Sequence, residues 1–399
     1  MDKKIIKIGL AMMTCMSVLW SDSKLLLADE ADNITNEMEI DTTVRQNLAA
    51  DFKPASFTEL QNAIQSANEN AVIDLSDLSS DNNNHSYTID KSLTLTGSNN
   101  TIEGLYLYVK ADKTLTLSNV TIVGHYANSR AKGTTVEGEK GANLIVEHDA
   151  KLVGSSYASS SFSYMSGVAI RGFKEVLIYG EVESGQGVKK IEGGAIHNCY
   201  HVVIDGGSVK GGVIDEKVTL RGAADNPLIS YVNKLEIKNA SIIGCVDKDK
   251  DSSGGSLISA TYNAIIENST VIPAKVSFPY GVIDIESTDS FNSHMYERDC
   301  AIGFSISDTS IIIPDSAYEK IVKMDSDMYN AGSCDKIAGY VLKISTLSDF
   351  NISPYDDVSP IVNIGENVTL QGLNSSGSNG GAAIIADANY LPVIVNVAA

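Results

Sequence analysis

Apolar and polar residues alternate along most of this chain in short runs that end at asparagine or glycine. Residues 235–244 (LEIKNASIIG) show the pattern in full, with two short alternating runs separated by Asn239. Alternation with a period of two predicts β-strands and excludes a helical repeat of the same length. Similar phrases occupy residues 115–124, 144–154, 176–185, 202–211, 264–272, 303–314 and 362–372.

A second apolar phrase precedes the first in several copies. It occupies residues 167–170, 194–196, 226–229, 255–258, 281–283 and 381–384. The copies recur about every 26 to 33 residues, a period typical of repeat architectures. A unit of three short strands cannot bury its own apolar side, but stacked units can. The pattern therefore predicts an all-β protein, a right-handed parallel β-helix with one coil per repeat.

The ends of the chain predict three segments. Residues 1–28 have a basic start, an apolar run and a small-residue region, which is the pattern of a secretory signal peptide, and the run is too short to span a membrane. Residues 29–53 read as a mobile acidic leader, and residues 54–399 as the β-helix domain. Ser56 and Glu59 form a capping box for a helix through about residue 68, which would cover the first coil.

Long polar insertions interrupt the repeats, and such loops are the usual carriers of binding and chemistry. They occupy residues 128–142, 155–166, 247–254, 288–300 and 323–338. Residues 381–397 begin another coil, so we expect an open strand edge there that could pair with another module or chain.

The net charge and the cysteine spacing argue against some classes of ligand and metal site. The chain of 399 residues carries a formal charge of −20, which argues against nucleic acid as a partner because that ligand needs a basic surface. Outside the signal segment the cysteines lack zinc-site spacing, which leaves a structural disulfide and buried thiols as alternatives. These are Cys199, Cys245, Cys300 and Cys334.

Residues 57–64 leading into 88–95, together with repeated corners such as 193–198, resemble the bacterial pectate-lyase-like β-helix superfamily. The chain is most similar there to the adhesive domains of Gram-positive surface proteins. That resemblance implies a domain that is secreted or held at the cell wall and attaches to a glycan, host or matrix surface without catalysis. The catalytic patterns of pectate lyases are not recognisable in this sequence.

Aligned repeats place outward residues in columns about 4.8 Å apart. One column reads Ser118, Glu147, Tyr179, Asp205, Lys238, Glu267, Ser307 and Gly365. Asp205, Lys238 and Glu267 would be consecutive there. They form either an exposed charge ladder or, in a Ca²⁺-dependent polysaccharide lyase, carboxylates beside a basic Lys238.

Two further columns bear on structure and chemistry. The corner column, 119, 148, 180, 206, 239, 268, 308 and 366, is rich in Asn and Gly, which favours left-handed bends and an amide ladder. The other column reads Arg171, His197, Ser230, Ser259 and Asp284, followed by Glu286. It offers an acid/base cluster around His197, or a carboxylate pair of the glycoside hydrolase type at Asp284 and Glu286.

Asp247, Asp249 and Asp251 resemble the start of a calcium loop. An EF-hand loop would need Gly and Glu where this chain has Ser252 and Ile258, so the alternatives are a weak Ca²⁺ site and a solvated acidic loop.

The sequence thus supports two hypotheses. The first is a non-catalytic module that binds carbohydrate or protein on a surface, without a cofactor. The second is a Ca²⁺-dependent lyase or hydrolase of the same fold.

Overall fold

The computed structural model describes residues 49–126, 133–155, 167–185, 194–214, 227–244, 246–247, 257–273, 282–286, 296, 300–312, 341–345, 359–372, 383–387 and 393–398. The predicted signal peptide, the leader up to residue 48 and most of the predicted insertions lie outside these residues.

The described chain is all-β apart from one helix, α1 (Phe57–Ser66). The first strands are β1 (Ala71–Asp74), β2 (His85–Ile89), β3 (Leu93–Ile102), β4 (Leu105–Val109), β5 (Thr114–Val123), β6 (Thr134–Gly138), β7 (Asn143–Val146), β8 (Lys151–Val153), β9 (Val168–Arg171), β10 (Glu175–Ile178), β11 (Glu181–Glu183), β12 (Ile196–Asp205), β13 (Ser208–Lys210) and β14 (Val213–Ile214). The others are β15 (Ile229–Lys238), β16 (Ser241–Ile243), β17 (Val246–Asp247), β18 (Ile258–Thr261), β19 (Asn263–Glu267), β20 (Thr270–Ile272), β21 (Ile283–Glu286), β22 (Gly303–Ser307), β23 (Ser310–Ile312), β24 (Leu342–Ser345), β25 (Ile361–Ile364), β26 (Thr369–Gln371), β27 (Ile384–Asp387) and β28 (Ile394–Val397).

The strands pair in parallel to form a 26-stranded sheet, apart from β14 and β17, which pair with each other. Three series of pairings run through it. Series 1 is β2–β4–β6–β9–β12–β15–β18–β21–β24–β27; series 2 is β1–β3–β5–β7–β10–β12–β15–β19–β22–β25–β28; series 3 is β3–β5–β8–β11–β13–β16–β20–β23–β26. Long strands such as β12 and β15 belong to series 1 in their first half and to series 2 in their second half. The predicted three-strand repeat and its parallel stacking are confirmed.

The core consists of the inward residues of successive repeats. In series 2, Ile204 pairs with Ile237, which pairs with Ile266, and each of the three is 0% exposed. Their strand neighbours alternate with them and are more exposed. The predicted inward and outward positions are confirmed here, because the side chains of a strand alternate between its two faces.

Helix α1 begins where the capping box predicts. The Ser56 side chain accepts a hydrogen bond from the Glu59 backbone N–H, while Glu59 accepts one from the Ala55 N–H at 2.9 Å. The apolar face, including Leu60 and Ile64, is buried with the first strands in the common core. The helix ends at Ser66, two residues earlier than predicted.

Two parts of the predicted insertions are ordered structure. The prediction of an insertion over 128–142 is wrong for β6, which pairs with β4 and β9 in series 1. The residue Tyr296, in the predicted insertion 288–300, is 7% exposed and packs on earlier repeats. Its hydroxyl donates to the Gly172 carbonyl at 3.0 Å and accepts from the Gly141 N–H at 3.2 Å.

The corner between series 2 and series 3 has the predicted left-handed geometry in five of the eight predicted copies, and not at His148 or Gly180. Positive φ angles occur at Asn119, Gly206, Asn239, Asn268 and Asp308, whereas in the last copy Asn367, not Glu366, takes this conformation. The Asn268 side-chain amide donates to Asn239 Oδ1 at 2.8 Å, and the Asn239 amide donates to Asp205 Oδ1 at 3.2 Å. The predicted amide ladder is confirmed over these repeats.

The last described strand leaves apolar side chains at the surface. Val395 pairs with the buried Val362, yet Val395 is 45% and Val397 is 70% exposed. Both side chains occupy positions that in the earlier strands of series 2 point into the core. The edge predicted to be open therefore exposes core-type residues.

Candidate functional site

A row of polar side chains follows the outward side of series 1. The register joins Tyr108 to Glu137, Glu137 to Arg171, Arg171 to His197, His197 to Ser230 and Ser230 to Ser259. We call Glu137, Arg171, His197 and Ser230 the polar row. Arg171, His197, Ser230 and Ser259 thus share the column that the sequence predicts.

Asp284 and Glu286 lie further along series 1. A register shift between Ile258 and Thr261 separates them from the regular column. Asp284 pairs with Lys343 and is 3% exposed, and Glu286 pairs with Ser345 in the backbone register. A buried Asp284 does not present the open pair of carboxylates that a glycosidase needs.

The polar row contains an ion pair between neighbouring repeats. Arg171 Nη1 lies 3.6 Å from Glu137 Oε1, and the Tyr106 hydroxyl donates to Glu137 Oε2 at 2.8 Å. Burial and this hydrogen bond raise the pKa of Tyr106, so the phenol stays protonated. Glu137 is therefore held from two sides, and both charges of the pair remain partly exposed.

Further along the row, a hydroxyl and an imidazole meet. His197 Nδ1 lies 2.9 Å from Ser230 Oγ, and Ser230 is 3% exposed. A serine so deeply buried has little access to a substrate, so the contact with Ser230 serves to orient the imidazole ring of His197.

Tyr231 stands beside the polar row in an unusual backbone conformation. Its φ is +56°, in the left-handed region that costs a residue with a Cβ about 1–2 kcal/mol. Its ring lies 5.0 Å from the His197 ring at an interplanar angle of 70°. The equivalent corner positions of the two preceding repeats are Gly172 (φ +82°) and Asn198 (φ +57°), residues that accept this conformation readily.

The predicted column of Asp205, Lys238 and Glu267 is in register, each residue pairing with the next. Lys238 Nζ contacts Glu236 Oε2 of its own strand at 2.8 Å. This hydrogen bond, with help from the charges of Glu267 and Asp205, raises the pKa of Lys238. A raised pKa keeps the ammonium protonated, whereas a proton-abstracting lysine needs a lowered pKa.

A charge cluster that the sequence did not predict lies on the same face. The two ring nitrogens of His201 lie 3.2 Å from Glu175 Oε1 and 3.2 Å from Glu236 Oε1. Burial would lower the pKa of His201, but the two carboxylate hydrogen bonds outweigh it and raise the pKa to about 9. The His201 hydrogen bond, together with Lys238, lowers the pKa of Glu236 to about 2.

The calcium candidates are only partly within the described structure. Asp247 lies in β17 and pairs with Ile214, whereas Asp249 and Asp251 lie outside the described residues. Among the residues that the structure describes, no group of three potential ligands could hold a metal ion. The Ca²⁺ interpretation stays a prediction.

The cysteines are described in part. Cys199 is buried, and its thiol donates to the His197 carbonyl at 3.6 Å. Burial raises the pKa of Cys199 to about 12, which keeps the thiol neutral and unreactive. Cys245 and Cys334 lie outside the described residues.

Comparison of the chain with protein-family models, curated proteins and solved structures found no match. The described part of the chain contains no helix that is long and apolar enough to cross a membrane.

Proposed function

We propose that the chain is a right-handed parallel β-helix that serves as a secreted or cell-surface binding module without catalysis. Its ligand would be a glycan, the class of partner to which the polar row is best suited. The three parallel series support the β-helix, since each repeat contributes one strand to each series over most of their length. Helix α1 would cover the first coil, where its apolar face is buried with the first strands.

The observation that carries the binding function is the polar row itself, with the Glu137–Arg171 ion pair towards one end and the Tyr231 ring beside His197 towards the other. The pair offers acceptors and donors one strand spacing apart, and a ligand hydroxyl group can use both. The side chains stand on paired strands, which fix their spacing without a ligand. A pre-formed surface loses little conformational entropy when a ligand binds. This favours a binding function over an enzymatic one, in which a loop would have to close over the substrate.

The lyase alternative rests on Asp205, Lys238 and Glu267. The electrostatics argue against this alternative. The Lys238 ammonium donates a hydrogen bond to Glu236, and this contact raises the pKa of Lys238. A base at this position would have to lose that contact before it accepted a proton. We therefore favour binding without turnover.

The experiment incubates the purified chain with a panel of neutral and acidic polysaccharides, with and without Ca²⁺. Retention on immobilised glycan and the ultraviolet absorbance of unsaturated products are followed in the same samples, with a reducing-end assay for hydrolysis. Retention without product supports the proposal. Product formation that Lys238→Ala abolishes would establish the lyase instead, and retention by no glycan would overturn glycan binding.

The exposed final strand belongs to the same proposal. Val395 and Val397 would be covered if a strand of another module or chain paired with β28, since edge strands readily accept such pairing. Such a contact would connect the binding module to a larger surface assembly.

A further inference from the structure

Tyr231 occupies a corner that does not require tyrosine. Gly172 and Asn198 occupy the equivalent corners of the two preceding repeats with the same sign of φ. The backbone there is left-handed in these three consecutive repeats, so the bend belongs to this part of the scaffold and not to the side chain. Tyrosine at such a position works against stability, and strained residues of this kind cluster at ligand sites.

The Tyr231 ring is set against the polar row. It lies 5.0 Å from the His197 ring and nearly perpendicular to it, and its backbone follows Ser230 directly. The Glu137–Arg171 pair lies on the two repeats before His197. The Tyr231 ring, the His197 ring inclined at 70° to it and the Glu137–Arg171 pair therefore occupy four consecutive repeats, with Tyr231 two repeats from Arg171 and three from Glu137.

We propose that Tyr231 is a stacking residue for one sugar ring of a neutral glycan, whose hydroxyl groups bind the polar row. This inference rests on the proposed glycan binding and specifies its site and ligand class. A pyranose has an apolar face of C–H groups that packs on an aromatic ring and a rim of hydroxyls that donate and accept. A sugar stacked on Tyr231 would place its hydroxyls near His197, and the next sugars of the chain would reach the Glu137–Arg171 pair two to three strand spacings, about 10 to 14 Å, further along the row.

Charge selects a neutral glycan over an acidic one. Arg171 is already paired with Glu137, so the row presents a compensated pair and no unpaired cation for a ligand carboxylate or sulfate. The chain carries a formal charge of −20, which repels polyanions at long range. A neutral sugar meets neither obstacle.

The test separates stacking from stability. Tyr231→Asn places at this corner the residue that Asn198 provides in the preceding repeat. We expect the thermal midpoint to stay level or rise, because asparagine accepts a positive φ, while affinity for the neutral glycan retained by the parent falls about tenfold or more. Isothermal titration and thermal unfolding measure the two effects on the same preparation.

The matched control is Tyr179→Asn. Tyr179, which directly follows β10 of series 2, is another half-buried tyrosine, and its ring centroid lies 5.3 Å from that of His148. The Tyr179→Asn substitution should leave glycan affinity unchanged. Equal affinity of Tyr231→Asn and the parent would overturn the inference, and so would an equal loss in both variants.

Glu137→Gln tests the ligand class through the sign of its effect. For a neutral glycan, loss of the carboxylate removes a strong acceptor and weakens binding several-fold. For an acidic ligand, the same change frees Arg171 and strengthens binding, which would overturn the neutral assignment. If the parent binds no glycan, the proposed function itself fails; if it binds and Tyr231→Asn does not weaken it, only this inference fails.

Discussion

His201 Nε2 lies 3.2 Å from Glu236 Oε1, a carboxylate that belongs to the following repeat. On the other side of the ring, Nδ1 lies 3.2 Å from Glu175 Oε1 of the preceding repeat. The imidazole thus links three consecutive repeats. Both contacts have charge-assisted strength only while the ring is protonated.

His201 should therefore give the protein a pH-dependent stability. Its folded pKa of about 9 lies above the ordinary value of 6.5, so the stabilisation is fully present below pH 6.5 and is lost as pH rises through 9. The shift corresponds to an upper bound of about 3 to 4 kcal/mol. Urea unfolding between pH 6 and pH 10 should show this loss in the parent.

His201→Gln is the matched variant, because glutamine retains hydrogen-bonding capacity without the titration. Its stability should change less between pH 6 and pH 10 than that of the parent. The neighbouring Glu175, Glu236, Lys234 and Lys238 remain in both proteins, so the two chains differ only at residue 201. Parallel curves for the two proteins would contradict the assigned pKa.

Ile237→Asp should destabilise the protein by several kcal/mol. Ile237 is 0% exposed between Ile204 and Ile266, and a carboxylate there would be desolvated without a partner. Ile266→Asp should act in the same way. Thermal unfolding measures both, with the outward Glu267→Ala as the control. A melting temperature equal to that of the parent would refute the inward assignment of these strands.

The period of the sequence was sufficient to predict this core. Two-residue alternation decides which side chains face inward, and the spacing of the phrases decides which strands pair, so Ile237 and Ile266 were correctly placed. Asn239 and Asn268 were placed equally well, because few residue types tolerate a left-handed corner. These features depend on local chemistry repeated along the chain.

The side-chain contacts of the candidate site could not be predicted in the same way, because they depend on how neighbouring repeats align. Glu137 was missed because β6 lies among glycine, lysine and asparagine residues that read as a loop, although its β-branched run Thr134–Val136 was a usable signal. The contacts of His201 arise from register between repeats of unequal length. The strain at Tyr231 was invisible because tyrosine is an ordinary strand former until the corners are aligned in space.

The Asn239 corner should separate backbone strain from hydrogen bonding. Asn239→Gly keeps the left-handed φ of +51° but removes the amide contacts with Asp205 and Asn268, at about 1 kcal/mol for exposed bonds. Asn239→Ala loses the same contacts and adds about 1–2 kcal/mol of backbone strain. We therefore expect alanine to lower the urea midpoint more than glycine. The reverse order would show that the left-handed bend does not limit this corner.

Tyr296→Phe should weaken the packing of distant repeats. The Tyr296 hydroxyl bonds to both Gly172 and Gly141, and burial raises its pKa to about 12. Phenylalanine keeps the ring contact with Tyr200 but leaves two backbone groups without this partner, at about 1–3 kcal/mol. Tyr200→Phe, which removes only the hydroxyl contacted by Lys234 at 3.0 Å, is the control and should cost less. Denaturant unfolding gives the two costs, and a Tyr296→Phe variant as stable as the parent would show that this hydroxyl does not hold the segment to the earlier repeats.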